Sequence, residues 1–220
     1  MSCDVVTSSP YRVSFLENIG QVDACVARIN GWGEIIGNRL AMSRLKKDSD
    51  GASHDKFMED RETHSNYASV LSFLNQQAKK LKAQLDTGAG HLSIAVFILE
   101  RRTDGSIQGA SAVTVKADRV YLNAMVTAPW NIKMHAHISH EHVALQSKGV
   151  GKTLMAAICH WTTTAAKKCR LCTTPSRSAF SFYHSLGMIF EKENQMFIFE
   201  MGEGMPGTLR AFLPEGFVVA

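Results

Sequence analysis

A glycine-rich turn at Gln146–Gly151 (QSKGVG) constrains the fold more than any other segment, because an apolar helical pattern begins directly after it. Glycine lets a backbone approach an anion without a Cβ in the way, and Gly149 and Gly151 supply two such positions. A turn of this kind at a helix start presents N–H groups at the positive end of the helix dipole, where phosphate oxygens accept them. Lys148 and Lys152 add positive charge. The segment therefore predicts a phosphate-binding turn.

Two kinds of phosphate-binding turn fit this segment to different degrees. The nucleotide phosphate loop has the pattern G-x-x-x-x-G-K-[ST], and Gly151, Lys152 and Thr153 occupy its last three positions. Its first glycine would fall on Gln146, and the preceding stretch is rich in histidine instead of being an apolar strand. The pattern [QR]-x-x-G-x-[GA] matches at every defined position. We therefore favour the second pattern and keep a nucleotide-binding enzyme as a weaker alternative.

A second segment further along the chain supports this choice. Ser176–Met188 (SRSAFSFYHSLGM) looks like N-x-x-A-x-x-[FL]-Y-x-x-x-G-F, with Ser in place of Asn and Met in place of the final Phe. Together the two motifs resemble the GNAT superfamily of N-acetyltransferases, from about Leu92 to Met201. The resemblance implies one acetyltransferase domain over residues 1–220, with an α+β fold in which helices flank a mixed, mainly antiparallel, twisted sheet. It also implies acetyl-CoA as co-substrate, bound at a splayed pair of strands, and direct acetyl transfer to an amine in a ternary complex.

The resemblance also implies roles for individual residues. The strand that ends at Thr127 would pair its backbone with the pantetheine arm, and the amide of Val126 or Thr127 would stabilise the oxyanion. Tyr183 would protonate the departing thiolate. The cofactor-binding candidates are Met125, Val126, Thr127, Gln146, Ser147, Lys148, Gly149, Val150, Gly151, Lys152, Thr153, Ser176, Ala179 and Phe182.

The sequence departs from the family pattern in two places. Asn123 occupies the position where a carboxylate often activates the amine, and an amide cannot accept that proton. An insertion at about 130–145 separates the strand from the turn and carries a dense cluster of histidines. From this cluster we take His137 and Glu141 as candidate bases, since imidazole titrates near neutrality. A metal site through His135 and His137, or a solvated loop, are the alternatives.

Hydrophobic periodicity predicts a strand, two helices, three strands, a helix, a strand, a helix and further strands. The predicted strands are 11–16, 91–101, 107–116, 119–127, 170–174, two within 188–201 and one at 216–219, and the predicted helices are 20–44, 64–86, 150–168 and 178–186. The first helix is predicted to break at Gly31 and Gly33, and the polar segment 46–62 is predicted to be a mobile insertion. A C-terminal extension begins at about residue 202. An alternative alignment makes 134–142 the fourth strand.

Charge limits the expected binding partners, and cysteine content limits the expected cellular compartment. The chain has 24 Lys and Arg against 20 Asp and Glu, a net charge of +4, which permits a polyanionic partner without the dense basic patch of a nucleic-acid binder. Five cysteines form no even framework, so we expect free structural thiols, Cys169 and Cys172 included, and a cytoplasmic location. The N-terminus lacks the pattern of a signal peptide, and we expect no membrane segment, because no apolar run approaches about 18 residues.

The sequence does not identify the amine that accepts the acetyl group. A protein amine, a small amine and an aminoacyl-tRNA all fit, and a homodimer is the assembly we consider. The alternative from another class is a catalytically silent CoA-binding sensor of the same fold, which the absence of a carboxylate at Asn123 favours.

Overall fold

The computed structural model describes residues 9–50, 54–88, 92–135, 139–201, 205 and 207–214 of the 220-residue chain. Within these residues, seven strands form one sheet in the order β1-β2-β3-β4-β5-β7-β6. The strands are β1 (Tyr11–Phe15), β2 (Ile94–Arg101), β3 (Ile107–Val115), β4 (Val120–Thr127), β5 (Arg170–Thr173), β6 (Ile189–Glu191) and β7 (Met196–Glu200). The pair β4–β5 is parallel, and the other neighbouring pairs are antiparallel.

Helices cover both faces of the sheet. They are α1 (Ile19–Asp50), α2 (His54–Asp86), α3 (His140–Val143), α4 (Val150–Thr164), α5 (Phe180–Ser185) and α6 (Gly207–Arg210). Successive residues of a strand point to opposite faces, so Ile94 and Val96 of β2 join the core under α1 and α2, whereas Ala95 and Phe97 join the core under α4. In the ranges given above, no helix combines the length and apolarity that crossing a bilayer requires.

The predicted fold class and element order are confirmed, with an α+β chain whose mainly antiparallel sheet is flanked by helices. The predicted break in the first helix is wrong, because α1 continues through Gly31 and Gly33. Trp32 is buried against α2, and burial of such a side chain outweighs the cost of about 1 kcal/mol for a helical glycine. Gly33 faces Leu71 of α2, and a Cβ there would make an ordinary contact of 3.7 Å with Leu71 Cδ2.

The polar segment 46–62, predicted to be a mobile insertion, is helical where the structure describes it. Residues 46–50 end α1 and residues 54–62 begin α2, whereas 51–53 lie outside the described residues, as does the predicted strand at 216–219. Most polar side chains of this region are exposed, but two of them contact the segment that follows β4. Asp60 is buried and its Oδ1 accepts a hydrogen bond of 2.8 Å from the His135 N–H, while Glu59 Oε2 lies 2.7 Å from His135 Nε2.

Candidate functional site

The parallel strands β4 and β5 separate after three residue pairs. Their pairing ends at Leu122 and Thr173, where the Thr173 hydroxyl donates a hydrogen bond of 3.0 Å to the Leu122 carbonyl. β5 ends at this point, whereas β4 continues to Thr127. In the described part of the chain, no strand pairs with the β5-facing edge of residues 123–127. An open strand edge of this kind can bind an extended amide chain.

The direction of the β4 backbone groups decides which of them face this open edge. The Ala128 N–H donates to the Gln108 carbonyl of β3 at 2.8 Å, and backbone groups alternate along a strand. Val126 therefore directs its N–H to β3, which leaves it unavailable as the expected oxyanion donor. Met125 and Thr127 direct their groups to the open edge. The Thr127 carbonyl accepts a hydrogen bond of 3.1 Å from the buried Tyr67 hydroxyl, so the Thr127 N–H and both groups of Met125 are left for a ligand.

Asn123 is an extra residue in β4. The register passes from Ala112 opposite Ala124 to Val113 opposite Leu122, so Asn123 forms a β-bulge. Its Nδ2 donates a hydrogen bond to the Thr114 hydroxyl. The bulge lies next to the point where β4 and β5 separate, but a carboxamide there cannot act as a base.

The predicted turn at the start of α4 is an uncapped helix N-terminus. Gly149 has a left-handed backbone with φ of +80°, and no side chain caps the helix. The first turn carries no acidic residue. The Thr153 N–H and hydroxyl both donate to the Gly149 carbonyl, at 2.9 and 3.1 Å. The N–H groups of Val150, Gly151 and Lys152 have no partner within the helix, which is the arrangement that lets a helix N-terminus bind an anion.

Two of the predicted cofactor residues form hydrogen bonds that hold the turn in place. Gln146 Nε2 donates to the Trp130 carbonyl at 3.0 Å, and the Ser147 N–H donates to Asn131 Oδ1 at 2.7 Å. On the other side of the turn, the Tyr11 hydroxyl of β1 donates to the Lys148 carbonyl. These three bonds tie the turn to the end of β4 and to the edge of the sheet.

The position of α4 on the sheet depends on Gly109 of β3. A Cβ at this buried residue would lie 2.9 Å from Val150 Cγ1 and from Leu154 Cδ1, and 3.1 Å from the Val126 carbonyl oxygen. Side-chain carbons do not approach so closely. Glycine at this position therefore lets the first turn of α4 lie directly over β3 and β4.

Two aromatic rings pack against the turn. A Cβ on Gly151 would lie 3.2 Å from the ring of the predicted cofactor residue Phe182. Lys152 Nζ lies 5.1 Å from the centroid of Phe212, and a Cβ on Gly149 would lie 3.6 Å from the same ring. Phe212 and the Tyr11 contact are missed by sequence reasoning, since both come from the far ends of the chain and no motif includes them.

Tyr183 lies at the separation of β4 and β5, on the face of the sheet that α4 covers. Its side chain is buried, and Thr173 is its hydrogen-bonding neighbour. Burial raises the pKa of Tyr183 to about 12, and the bond with Thr173 opposes this only in part. The phenol is therefore protonated at neutral pH, which is the form that a general acid requires.

The other predicted residues of the second motif lie in the connection between β5 and α5. Ser176 is exposed, and its hydroxyl lies 2.9 Å from the Ser178 hydroxyl. Ala179 is half-buried against the core under α4. These residues shape the connection that carries Tyr183.

The histidine-rich segment lies at the opposite end of the open edge. The His142 ring stacks on Trp130 with centroids 5.4 Å apart, and Arg101 Nη1 donates to the Ala144 carbonyl at 3.0 Å. Glu141 is exposed on α3. This end of β4 is about 16 Å from Leu122, at roughly 3.3 Å for each strand residue.

Glu141 is therefore not brought together with Tyr183. His137 lies outside the described residues. Within the described part of the chain, no group of three or more histidine, cysteine or acidic residues is placed to hold a metal ion.

In comparisons with known proteins, this chain is similar to solved structures only. No protein-family model matches the sequence, and no curated protein matches it significantly. Three similar solved structures are described as acetyltransferases. The Campylobacter jejuni N-acetyltransferase PseH is 14% identical, with a TM-score of 0.45 over 87% of this chain and 98% of that chain. The Vibrio fischeri ribosomal-protein-S5-alanine acetyltransferase is 10% identical, with a TM-score of 0.48 over 91% of this chain and 98% of that chain.

The third is the PaiA N-acetyltransferase from Thermoplasma acidophilum in complex with coenzyme A. It is 16% identical, with a TM-score of 0.45 over 86% of this chain and 98% of that chain. Likenesses at these identities and TM-scores carry no argument about function, which has to come from the residues of the site.

Proposed function

We propose that the protein is an N-acyltransferase that moves an acetyl group from acetyl-CoA to an amine. One observation carries the proposal: the open edge of β4 joins two features that a CoA thioester requires. At one end Tyr183, a protonated buried phenol, lies beside Thr173. At the other end the uncapped first turn of α4 presents N–H groups next to two lysines.

A CoA thioester fits this arrangement from end to end. Its pyrophosphate would accept the N–H groups of Val150, Gly151 and Lys152, with Lys148 and Lys152 supplying charge. Its pantetheine amides would pair with the Met125 carbonyl and the Thr127 N–H. The acyl carbonyl then lies nearest the separation of the strands, so the Met125 N–H is the donor we assign to the oxyanion.

The chemistry is direct attack. The neutral amine nitrogen attacks the thioester carbonyl, a C–N bond forms, and the oxyanion draws on the Met125 N–H. When the intermediate collapses, the C–S bond breaks and the thiolate takes the Tyr183 proton, which solvent replaces. The nitrogen releases its extra proton to water, which balances the proton that solvent returns to Tyr183, so the products are an amide and the free thiol of CoA.

The alternative of a nucleotide phosphate loop is less compatible with the geometry. That loop uses the Ser or Thr after its lysine to bind Mg²⁺. Here the Thr153 hydroxyl is bonded to the Gly149 carbonyl, and the residue is 2% exposed. The silent CoA-binding sensor differs from our proposal only in turnover.

Isothermal titration with CoA, acetyl-CoA and ATP–magnesium tests the proposal. We expect acetyl-CoA to bind, and Lys152→Glu to weaken binding by about tenfold or more, since a charge-assisted hydrogen bond is worth roughly 1.5–3 kcal/mol. Glutamate is favoured in the first turn of a helix, so the variant should fold. Lys79→Glu, an exposed site on α2, makes the same charge change as a control. Tighter binding of ATP–magnesium, or equal effects of the two variants, would refute the CoA site.

Turnover is measured separately as thiol release from acetyl-CoA with a panel of amines. Thiol release that depends on the amine supports the transferase. Tight acetyl-CoA binding without release on any amine would favour the sensor.

A further inference from the structure

A cavity of about 560 Å³ lies on the α2 side of the sheet, between α2 and strands β2, β3 and β4. We call it the α2 cavity. Its lining includes Phe73, Gln77, Lys80, Lys116, Tyr121 and Asn123. A cavity of this size, with two aromatic walls and a few polar groups, is suited to a small molecule.

The α2 cavity meets the reaction centre from the face opposite α4. Asn123 lines the cavity and directly follows Leu122, where β4 and β5 separate. Ile94, another lining residue, belongs to the core under α1 and α2, whereas Tyr183 belongs to the core under α4. A molecule in the cavity therefore approaches the gap between the strands from the side that the CoA thioester leaves open.

Two amide side chains in this cavity lack protein partners. Gln77 is 4% exposed, lines the cavity and forms no hydrogen bond with any described residue. The Asn123 Nδ2 is bonded to Thr114, but among the described residues no donor reaches its Oδ1. Neither amide is among the buried polar atoms of the described residues that lack a partner, so both groups open to the cavity and are available to bond a polar ligand there.

The charged side chains that line the α2 cavity, among the described residues, are all positive. Lys80 and Lys116 line it, and neither forms an ion pair with a described residue. No aspartate or glutamate is among the described residues that line it. Arg119 lies over Tyr121, with Cζ 5.9 Å from the ring centroid, but its charge is paired with Asp118. Two lysines without a carboxylate attract anions and repel polycations.

We propose that the α2 cavity receives the acceptor, and that the acceptor is a small amine carrying an anionic group, either a carboxylate or a phosphate. Lys80 and Lys116 bind the anionic group, and Gln77 supplies hydrogen bonds to the body of the molecule. The amine points to Asn123 Oδ1, which accepts one of its N–H groups and orients its lone pair to the gap. The inference rests on the proposed function, because it names the substrate class of that reaction.

The experiment uses pairs of amines that differ in one anionic group. β-Alanine is compared with β-alaninamide, and phosphoethanolamine with ethanolamine, so that the two pairs distinguish a carboxylate from a phosphate. Spermidine represents polycations. Thiol release from acetyl-CoA gives kcat/KM for the wild type, for Lys80→Ala and Lys116→Ala, and for the control Lys79→Ala on the same helix as Lys80.

We expect the anionic amine of at least one pair to have a kcat/KM about tenfold or more above its neutral partner, since truncating one charged hydrogen-bond partner costs about that factor. The preference should fall in Lys80→Ala and Lys116→Ala through KM, with unchanged CoA affinity, and persist in Lys79→Ala. Equal or better turnover of neutral amines or spermidine would overturn the inference while leaving the transferase intact.

The failure of the proposed function gives a different result. If acetyl-CoA binds but no amine is turned over, the transferase is refuted. Calorimetric titration of the same amine pairs into the protein–CoA complex then shows whether the α2 cavity binds anionic amines. Tighter binding of the anionic member, lost in Lys80→Ala, supports an anion-binding cavity. Equal binding of both members, or none, overturns it.

Discussion

Gly109→Ala should disturb the cofactor site from beneath the helix. The added methyl would lie 2.9 Å from Val150 Cγ1 and Leu154 Cδ1, so α4 has to move away from β3. Inserting a methyl group into a packed core costs about 1–3 kcal/mol. For a chain of this size each kcal/mol lowers the midpoint of thermal unfolding by about 2–4 °C, so we expect a decrease of roughly 2–12 °C. CoA affinity should also fall, because the first turn of α4 shifts relative to the open edge of β4.

Gly31→Ala is the matched control, because a Cβ there meets nothing within 4 Å and the residue is exposed on α1. Alanine should stabilise that helix by up to about 1 kcal/mol. Thermal unfolding followed by circular dichroism gives the stability, and calorimetry gives the CoA affinity. In a double-mutant cycle with Val150→Ala, the two changes should couple by at least about 0.5 kcal/mol, since Val150 Cγ1 is one source of the clash. Wild-type stability and CoA affinity in Gly109→Ala would refute the close contact between α4 and β3.

Two further predictions concern titratable groups. Tyr183→Phe should lower kcat about 100-fold or more, the usual contribution of a general acid, without changing CoA affinity. Because the pKa of Tyr183 is about 12, wild-type turnover should not fall from loss of this proton between about pH 7 and 10. Unchanged kcat would make Tyr183 a packing residue. Burial alone would raise the pKa of Glu100, but bonds and charges from Arg12 and Arg28 hold it below its usual value. The stabilisation that the ionised Glu100 gives the folded protein is therefore present above the unfolded pKa of about 4.3 and is lost as pH falls through the folded pKa. We expect Glu100→Gln to lower the free energy of unfolding near neutral pH and not in strong acid. An equal loss at both pH values would contradict this.

The glycine turn before α4 could be located from the sequence because its cause is local. A glycine with positive φ at Gly149 and a helix start directly after it are determined by a few neighbouring residues. The anchors of the turn could not be found in this way. Trp130 and Asn131 lie in an insertion that looked like solvated loop, and Tyr11 is more than a hundred residues away in the chain. Distant partners of this kind leave no periodic signal.

The same limit explains the errors in the N-terminal half. Composition marks 46–62 as polar, but it does not show that Asp60 receives the His135 N–H. Glycine propensity marks Gly33 as a helix breaker, but it does not show that Leu71 packs against it. The bulge at Asn123 depends on the register with β3, which the sequence of β4 alone does not determine. In each case a long-range contact overrides a local preference.

The absence of a carboxylate at Asn123 and the positive charge of the α2 cavity serve one chemical requirement. Attack needs the neutral amine, and nearby positive charge disfavours the ammonium form, which lowers the pKa of a bound amine. Each unit of that decrease raises the neutral fraction about tenfold below the pKa. A carboxylate at residue 123 would stabilise the ammonium while accepting its proton. If the acceptor's anionic group is a carboxylate, Lys80 and Lys116 leave a net positive charge beside the amine, so deprotonation by water suffices and Asn123 has only to orient the lone pair. A phosphate dianion would cancel most of that charge.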